Sequence, residues 1–289
     1  MAEADPVSGP GDADRPVAAA ASNLALRIVS AAVLAPLAVL TAYLGGWPFA
    51  LFWGVAAIAV LWEWTALVAG RSHRLMFSAC GSAIAVAALV AWRGRPIAAI
   101  LLVGMGALAA LIFAPQQRRL WIVAGIGYAG AMLLAPVLLR ADDADGFIAM
   151  MLLFAVVWTT DVLGYFAGRA VGGPKLLPAV SPKKTWSGAI AGTLGAMVVA
   201  VAVADAFGAF ERSTIAGIAL LLSVVAQCGD LFESWVKRQF GAKDASHLIP
   251  GHGGVMDRLD GFWAAAVIGC LIGLLRGGFD APARGLLVW

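Results

Sequence analysis

Apolar runs of about 20 residues recur along this chain, each long enough to cross the hydrocarbon core of a bilayer as a helix. In lipid a backbone has to satisfy its own hydrogen bonds, so repeated runs of this length point to a bundle of spanning helices. Composition agrees. Of 289 residues, 62% are hydrophobic and 13% charged, with a mean hydropathy of +0.89, whereas soluble domains carry about 25% charged residues. Soluble helices in this number would show polar stripes, and these runs do not.

The expected fold is therefore all-α: a polytopic membrane bundle of about nine transmembrane helices. The runs fall near Leu24–Leu44, Trp47–Ala69, Leu75–Trp92, Pro96–Ala114, Leu120–Leu139, Phe147–Ala167, Ser187–Phe207, Ser213–Asp230 and Gly261–Leu275. Residues 1–22 are rich in Ala, Pro, Gly and Asp without an apolar period, and read as a disordered tail. Residues 23–145 read as N-terminal transmembrane helices, and 146–289 as a C-terminal catalytic region. Abundant Gly and Ala let membrane helices approach closely. Cys80, Cys228 and Cys270 sit in apolar runs without metal-ligand spacing and read as packing residues. With nine spans, 14 of the 20 Lys and Arg residues fall on the N-terminal side, which favours a cytoplasmic N-terminus. A net charge of +3 is too small to argue for nucleic acid.

Polar residues gather in two segments that this topology puts on one side. The first, Asp161 to Gly188, reads DVLGYFAGRAVGGPKLLPAVSPKKTWSG. Asp161 lies near the end of an apolar run, where a carboxylate is costly unless paired or bound to a cation. Tyr165 follows one turn on, and Gly168, Gly172 and Gly173 allow close backbone approach. Ser181, Lys183, Lys184 and Thr185 stand directly before the next helix, an arrangement that suits an anion. A loop that is merely positive-inside accounts for this segment about as well.

The second segment, Gly229 to Phe262, reads GDLFESWVKRQFGAKDASHLIPGHGGVMDRLDGF. Asp230 closes its apolar run. Glu233 and Lys237 form an i,i+4 pair able to neutralise itself, and Arg238 and Lys243 add cations. A Gly251-His252-Gly253-Gly254 turn leads to Asp257-Arg258-Leu259-Asp260, which opens the last helix and puts two carboxylates on one face about 5–6 Å apart. Acids this close repel, and a divalent cation relieves the conflict; oxygen donors without His or Cys favour magnesium over zinc. Helix capping by Asp257 with Arg258 as counter-ion is the plainer alternative, but it covers too few of the carboxylates. Carboxylates, a cation and lysines at a membrane surface suit phosphoryl or nucleotidyl transfer.

At this point the second segment resembles the signature of the phosphatidate cytidylyltransferase family: Ser234-x-x-Lys237-Arg238, Lys243-Asp244, His252-Gly253-Gly254, Asp257-Arg258 and Asp260. The first segment is similar to the family at Asp161, Tyr165, Gly168, Lys175-Leu176 and Ser181-Pro182-Lys183-Lys184-Thr185-Trp186. It departs at Val162, Gly164 and Ser187. The resemblance covers most of the C-terminal half by motif and the N-terminal half by hydropathy alone.

The resemblance implies attack by a phosphatidate oxygen on the α-phosphorus of CTP, giving CDP-diacylglycerol and pyrophosphate. It implies magnesium, a second and monovalent cation such as potassium, and a lipid that enters sideways from the bilayer. Asp230, Asp257 and Asp260 are then the expected metal ligands, with Asp161 as a fourth. Lys183, Lys184, Lys237, Arg238, Lys243 and Arg258 would neutralise phosphates, beside Ser181, Thr185 and Asp244. Gly253 and Gly254 would bring backbone N–H groups to a phosphate. His252 is expected to contact phosphate or cytosine rather than act as a base. The implied setting is the bacterial inner membrane with the site facing the cytoplasm, and a homodimer is among the expected partners.

Glu63, between Trp62 and Trp64, is expected at the membrane interface, with a role toward substrate as the lesser alternative. Two rival functions remain at this stage: a CTP-dependent enzyme acting on another lipid phosphate or a polyprenol, and a transporter. Transport usually places its charges at midplane between repeats, and neither feature is evident.

Overall fold

The computed structural model describes residues 15–69, 73–208, 210–246, 248–249 and 253–289, with the backbone alone for 15–28 and 73. Ten helices and one small hairpin follow in the order α1 Arg15–Leu44, α2 Gly46–Ala69, α3 His73–Trp92, α4 Pro96–Phe113, α5 Arg119–Arg140, α6 Gly146–Val171, β1 Lys175–Leu177, β2 Ser181–Thr185, α7 Trp186–Phe207, α8 Arg212–Gln239, α9 Met256–Gly277 and α10 Pro282–Leu287. Among the described residues, 8 helices, α2 to α9, are long and apolar enough to cross a membrane, and the apolar stretch Val29–Leu44 of α1 is shorter. The polytopic all-α bundle is the fold the apolar runs imply.

Helix α5 is the hub. Of its apolar window 78% is buried inside the protein, against 17% for α4, which therefore lies at the edge with its side chains turned outward. α5 packs on α2, α3, α4 and α9. Tyr128 of α5 stacks between Trp64 of α2 and Trp263 of α9, at centroid distances of 5.2 and 4.3 Å. Each indole also spends its N–H on an α5 carbonyl, Trp64 on Trp121 O at 2.8 Å and Trp263 on Tyr128 O at 3.0 Å. Stacking adds about 0.5–1.5 kcal/mol beyond burial, and no indole N–H of this pair is left unsatisfied. This ladder ties the N-terminal helices to the helix that carries Asp257 and Asp260.

The second half is packed through missing side chains. A Cβ on Gly192 of α7 would lie 2.5 Å from Thr160 O of α6, and one on Gly168 would lie 2.8 Å from Thr185 Oγ1. Gly164 and Gly188 face each other across the same contact. Small residues four apart on both helices thus bring two backbones together, the usual driving force when lipid removes the hydrophobic one. At the α8–α9 crossing a Cβ on Gly229 would lie 2.7 Å from Asp260 O. That contact places Asp230 beside Asp260.

Several expectations are corrected. α8 does not end at Asp230 but continues to Gln239, because the following turns bury Glu233, Val236 and Lys237 against the protein rather than facing lipid. Asp161 likewise sits well inside α6, which runs on to Val171. The carboxylates are therefore recessed, Asp230 by about 13 Å along its helix at 1.5 Å per residue. α9 is not the last helix, since α10 folds back against it. α1 begins at Arg15, inside the stretch expected to be a tail; alanines favour helix, and Pro16 in the first turn forfeits no bond. Residues 1–14 of that tail lie outside the described residues. The loop before α7 contains an antiparallel hairpin with Lys175 opposite Thr185 and Leu177 opposite Ser181. Cys228 is exposed rather than packed.

Candidate active site

The carboxylates of interest lie toward the end of the bundle where α6 and α8 finish and α7 and α9 begin. Asp161 of α6, Asp230 of α8 and Asp260 of α9 converge there: Asp260 feels the charges of Glu233, Asp230 and Asp161, and Asp161 feels Lys184, Asp230 and Arg258. Asp260 accepts from its own following amide, Gly261 N, at 2.7 Å. Lys184 forms an ion pair with Asp230. The alternation of a strand explains why it is Lys184: successive side chains of β2 point to opposite faces, so Lys184 turns inward while Lys183 stays exposed.

A second group of charges lies beside the first and is bonded differently. Lys237, 8% exposed, stands between two acids, 2.8 Å from Glu233 Oε1 and 2.5 Å from Asp257 Oδ1. Asp257 Oδ2 accepts from Ala245 N at 2.9 Å and from Gly254 N at 2.8 Å. This cluster pins both arms of the loop between α8 and α9. The self-neutralising pair expected of Glu233 and Lys237 is present, but it has a third member. Lys237 is thereby committed to two carboxylates and is not an open cation.

The remaining expected residues divide in the same way. Thr185 is 4% exposed and caps α7, its Oγ1 accepting from Gly188 N at 3.2 Å, so its hydroxyl is engaged in the helix start. Gly254 N is given to Asp257, and a Cβ at Gly254 would lie 2.7 Å from Glu63 Oε1; its bareness serves packing. Gly253 holds φ +88, a conformation natural to glycine, and its carbonyl accepts from Ile249 N at 2.8 Å. Arg238 donates to Ala242 O at 3.2 Å from an exposed position. Lys243 and Asp244 are exposed on the same loop, Ser181 is half-buried at the base of β2, and Arg258 is exposed. His252 lies outside the described residues.

Beside the acids is a cavity of about 850 Å³ between α1, α2, α6 and α9. Its wall is apolar, including Leu34, Trp53, Phe154, Trp158 and Phe262, with Asp161 and Arg258 at the polar end. Trp53 and Phe262 stack at 4.7 Å, and Phe154 and Trp158 at 5.1 Å. Leu51 and Val55, also in the wall, are 56% and 58% exposed, which means the cavity borders the surface that faces lipid. Large apolar pockets with few convergent polar groups are the usual form of ligand sites.

Glu63 also belongs to the site region, where only the lesser reading of the sequence put it. Glu63 is turned inward; it is 0% exposed and bonded to Ser246, Val255 and Met256. The only signal in the sequence was an acid inside an apolar run.

Among the described residues, no group of three or more His, Cys, Asp or Glu side chains stands as a ready-made metal cage. The chemistry of the donors nonetheless fits a hard cation. Asp161, Asp230 and Asp260 offer oxygen alone and crowd like charges together, with Lys184 on Asp230 as a positive charge already drawn to the place. Asp257 adjoins them with Oδ1 on Lys237.

Residues 25–275 match the model of the cytidylyltransferase family. A protein of Brucella suis named phosphatidate cytidylyltransferase is 44% identical over 264 residues, covering 91% of this chain and 97% of its own length. One of Brucella abortus with the same name is 44% identical over 256 residues, 88% of this chain and 94% of its own. A third with that name, from Rickettsia felis, is 32% identical over 209 residues, 63% of this chain and 92% of its own.

Proposed function

This chain belongs to the cytidylyltransferase family, and from that premise we propose that it transfers the cytidylyl group of CTP to phosphatidate. The observation that carries the substrate assignment is the joining of an 850 Å³ apolar cavity, open toward lipid, to a polar end made by Asp161 and Arg258. A diacyl lipid with an anionic head has that polarity. Its head then lies against the recess of Asp230, Asp260 and Lys184.

A phosphate oxygen of phosphatidate attacks the α-phosphorus of CTP; the bond to the bridging oxygen of the β-phosphate breaks, and pyrophosphate leaves. The nucleophile is already an anion at neutral pH, so no side chain has to remove a proton. What opposes the reaction is repulsion between two polyanions, which places the demand on positive charge and orientation. Arg258, at the polar end of the cavity, orients the lipid phosphate. Lys184 and the exposed Lys183, Arg238 and Lys243 face the triphosphate. Lys237, Glu233 and Asp257 fix the loop on which Lys243 and Asp244 stand.

Asp161, Asp230 and Asp260, with Asp257 adjoining, would hold magnesium, and a monovalent cation belongs to the same proposal. When bound, such an ion supplies charge neutralisation to the phosphates and the leaving oxygens. The same reading puts the chain in the bacterial inner membrane with its polar end toward the cytoplasm, where CTP is found, and includes homodimerisation.

The test is an assay of the full chain in detergent with phosphatidate and CTP labelled in turn at the α- and γ-phosphorus. Cytidylyl transfer puts the α-label into the lipid and the γ-label into pyrophosphate. A γ-label in the lipid would instead make the protein a kinase, and absence of both products would remove the proposal.

A further inference from the structure

Carboxylates buried in an apolar bundle are costly unless their oxygens are bonded, so the partners of Glu63 indicate its task. Oε1 accepts from Ser246 Oγ at 2.6 Å and from Val255 N at 2.8 Å, and Oε2 accepts from Met256 N at 2.7 Å. Val255 is the residue before α9 and has no side-chain cap of its own. The first amides of a helix lack intrahelical partners and carry the positive end of its dipole. Glu63 therefore caps α9 from a different helix, 192 residues away in sequence. Gly254 leaves just the space this needs, since a Cβ there would lie 2.7 Å from Oε1.

The two ends of this contact belong to different parts of the site. α2 carries Trp53, Val55 and Ala56 of the cavity wall, and α9 carries Arg258 at its polar end. Asp257 and Asp260 are on the first turns of α9. Resting on the transfer reaction above, we propose that Glu63 is a positioning residue: it sets the start of α9, and with it Arg258 and Asp260, in register with the lipid-binding wall. It touches neither substrate. Its effect is on the rate of the bound complex, through the alignment of the two phosphates, because misplacement by about 1 Å costs about a hundredfold.

The variants are Glu63→Gln, Glu63→Asp and Ser246→Ala in the full chain, purified in detergent. Glu63→Gln keeps the shape but turns an N–H group toward a backbone N–H. It is expected to stay folded and monodisperse with a lowered melting temperature, since a buried donor is left unmatched, to lose about tenfold or more in kcat with KM for CTP little changed, and to exchange amide hydrogens faster across 245–258 alone. Glu63→Asp should recover part of kcat. Wild-type kcat and exchange in Glu63→Gln would overturn the proposal. If Glu63→Gln fails to fold, Ser246→Ala decides: a two- to tenfold loss of kcat with faster local exchange supports the clamp, and unchanged values overturn it. A wild-type chain that forms no CDP-lipid would sink the transfer reading instead, while the exchange comparison still tests the clamp.

Discussion

Two sets of acids lie within a few helical turns of each other and are treated in opposite ways. Glu63, Glu233 and Asp257 hold the loop between α8 and α9: three donors on Glu63, Lys237 between Glu233 and Asp257, and two amides on Asp257. Asp161, Asp230 and Asp260 are crowded in the recess with Lys184 and Arg258 as the facing cations. The first set is fastened to donors within the protein, although Glu233 Oε2 is buried without a hydrogen-bond partner; the second has a surplus of negative charge that the protein leaves for something else to answer. Residue type alone does not separate the two sets, since Asp257 stands in the first and the second is all Asp. What the acids fasten does: the first set ties down the loop between α8 and α9.

The largest effects should come from the crowded set. Asp230→Asn or Asp260→Asn is expected to lower kcat by about 10²–10⁴ while leaving the protein folded; Asp260→Asn should even raise the melting temperature, since one repelling charge is removed, whereas Asp230→Asn also gives up the pair with Lys184 and should leave it little changed. A fall in melting temperature would place these residues with the structural set. Next is Asp257→Asn, which takes one of its two carboxylates from Lys237 and weakens the acceptor of Ala245 N and Gly254 N. Hydrogen bonds to a charged group contribute about 1.5–3 kcal/mol, so thermal unfolding in detergent should shift downward as activity falls. A variant as stable as wild type would erase the distinction between the sets.

These differences were only partly legible in the sequence. The apolar runs located α2 to α7 to within about four residues at each end, because the hydrocarbon thickness sets their length. They could not show that α8 continues past Asp230, since Leu231–Gln239 mixes Glu, Lys and Arg with apolar residues, and hydropathy marks the lipid-facing window rather than the helix end. The i,i+4 pair of Glu233 and Lys237 was visible, being local. Its completion by Asp257 was not, because the partner lies across a loop. Glu63 was read as interfacial for the same reason: two of its three partners are backbone amides, which no residue pattern reveals. Gly254 fits a phosphate-binding turn by sequence, yet the carboxylate it packs against accounts for it.

A finer comparison sets Lys184 against Lys183, neighbours on opposite faces of β2. Lys184→Ala, which removes the ion pair with Asp230, should lower kcat/KM by about tenfold, on the order of 1.4 kcal/mol. Lys183→Ala should cost clearly less. Equal losses in a radiochemical assay would mean that strand orientation does not decide which lysine serves the recess. The smallest effect is expected away from both sets. Ser223 Oγ lies 2.8 Å from Thr160 Oγ1 and 3.0 Å from Thr193 Oγ1 inside the α6–α7–α8 packing. Hydrogen bonds between membrane helices average about 0.6 kcal/mol, so Ser223→Ala should lower stability by about 1 kcal/mol and spare kcat. A large loss of kcat there would extend the functional region deeper than the recess.

The claim beneath all of this is that Asp230 and Asp260 work as one centre across the α8–α9 crossing at Gly229. A double-mutant cycle on kcat, with Asp230→Asn, Asp260→Asn and the pair together, measures it directly. Residues acting as a unit lose their joint contribution with the first substitution, so the double variant should be about as slow as the slower single one. Losses that multiply would mean that the two carboxylates act independently, and the shared centre would not exist.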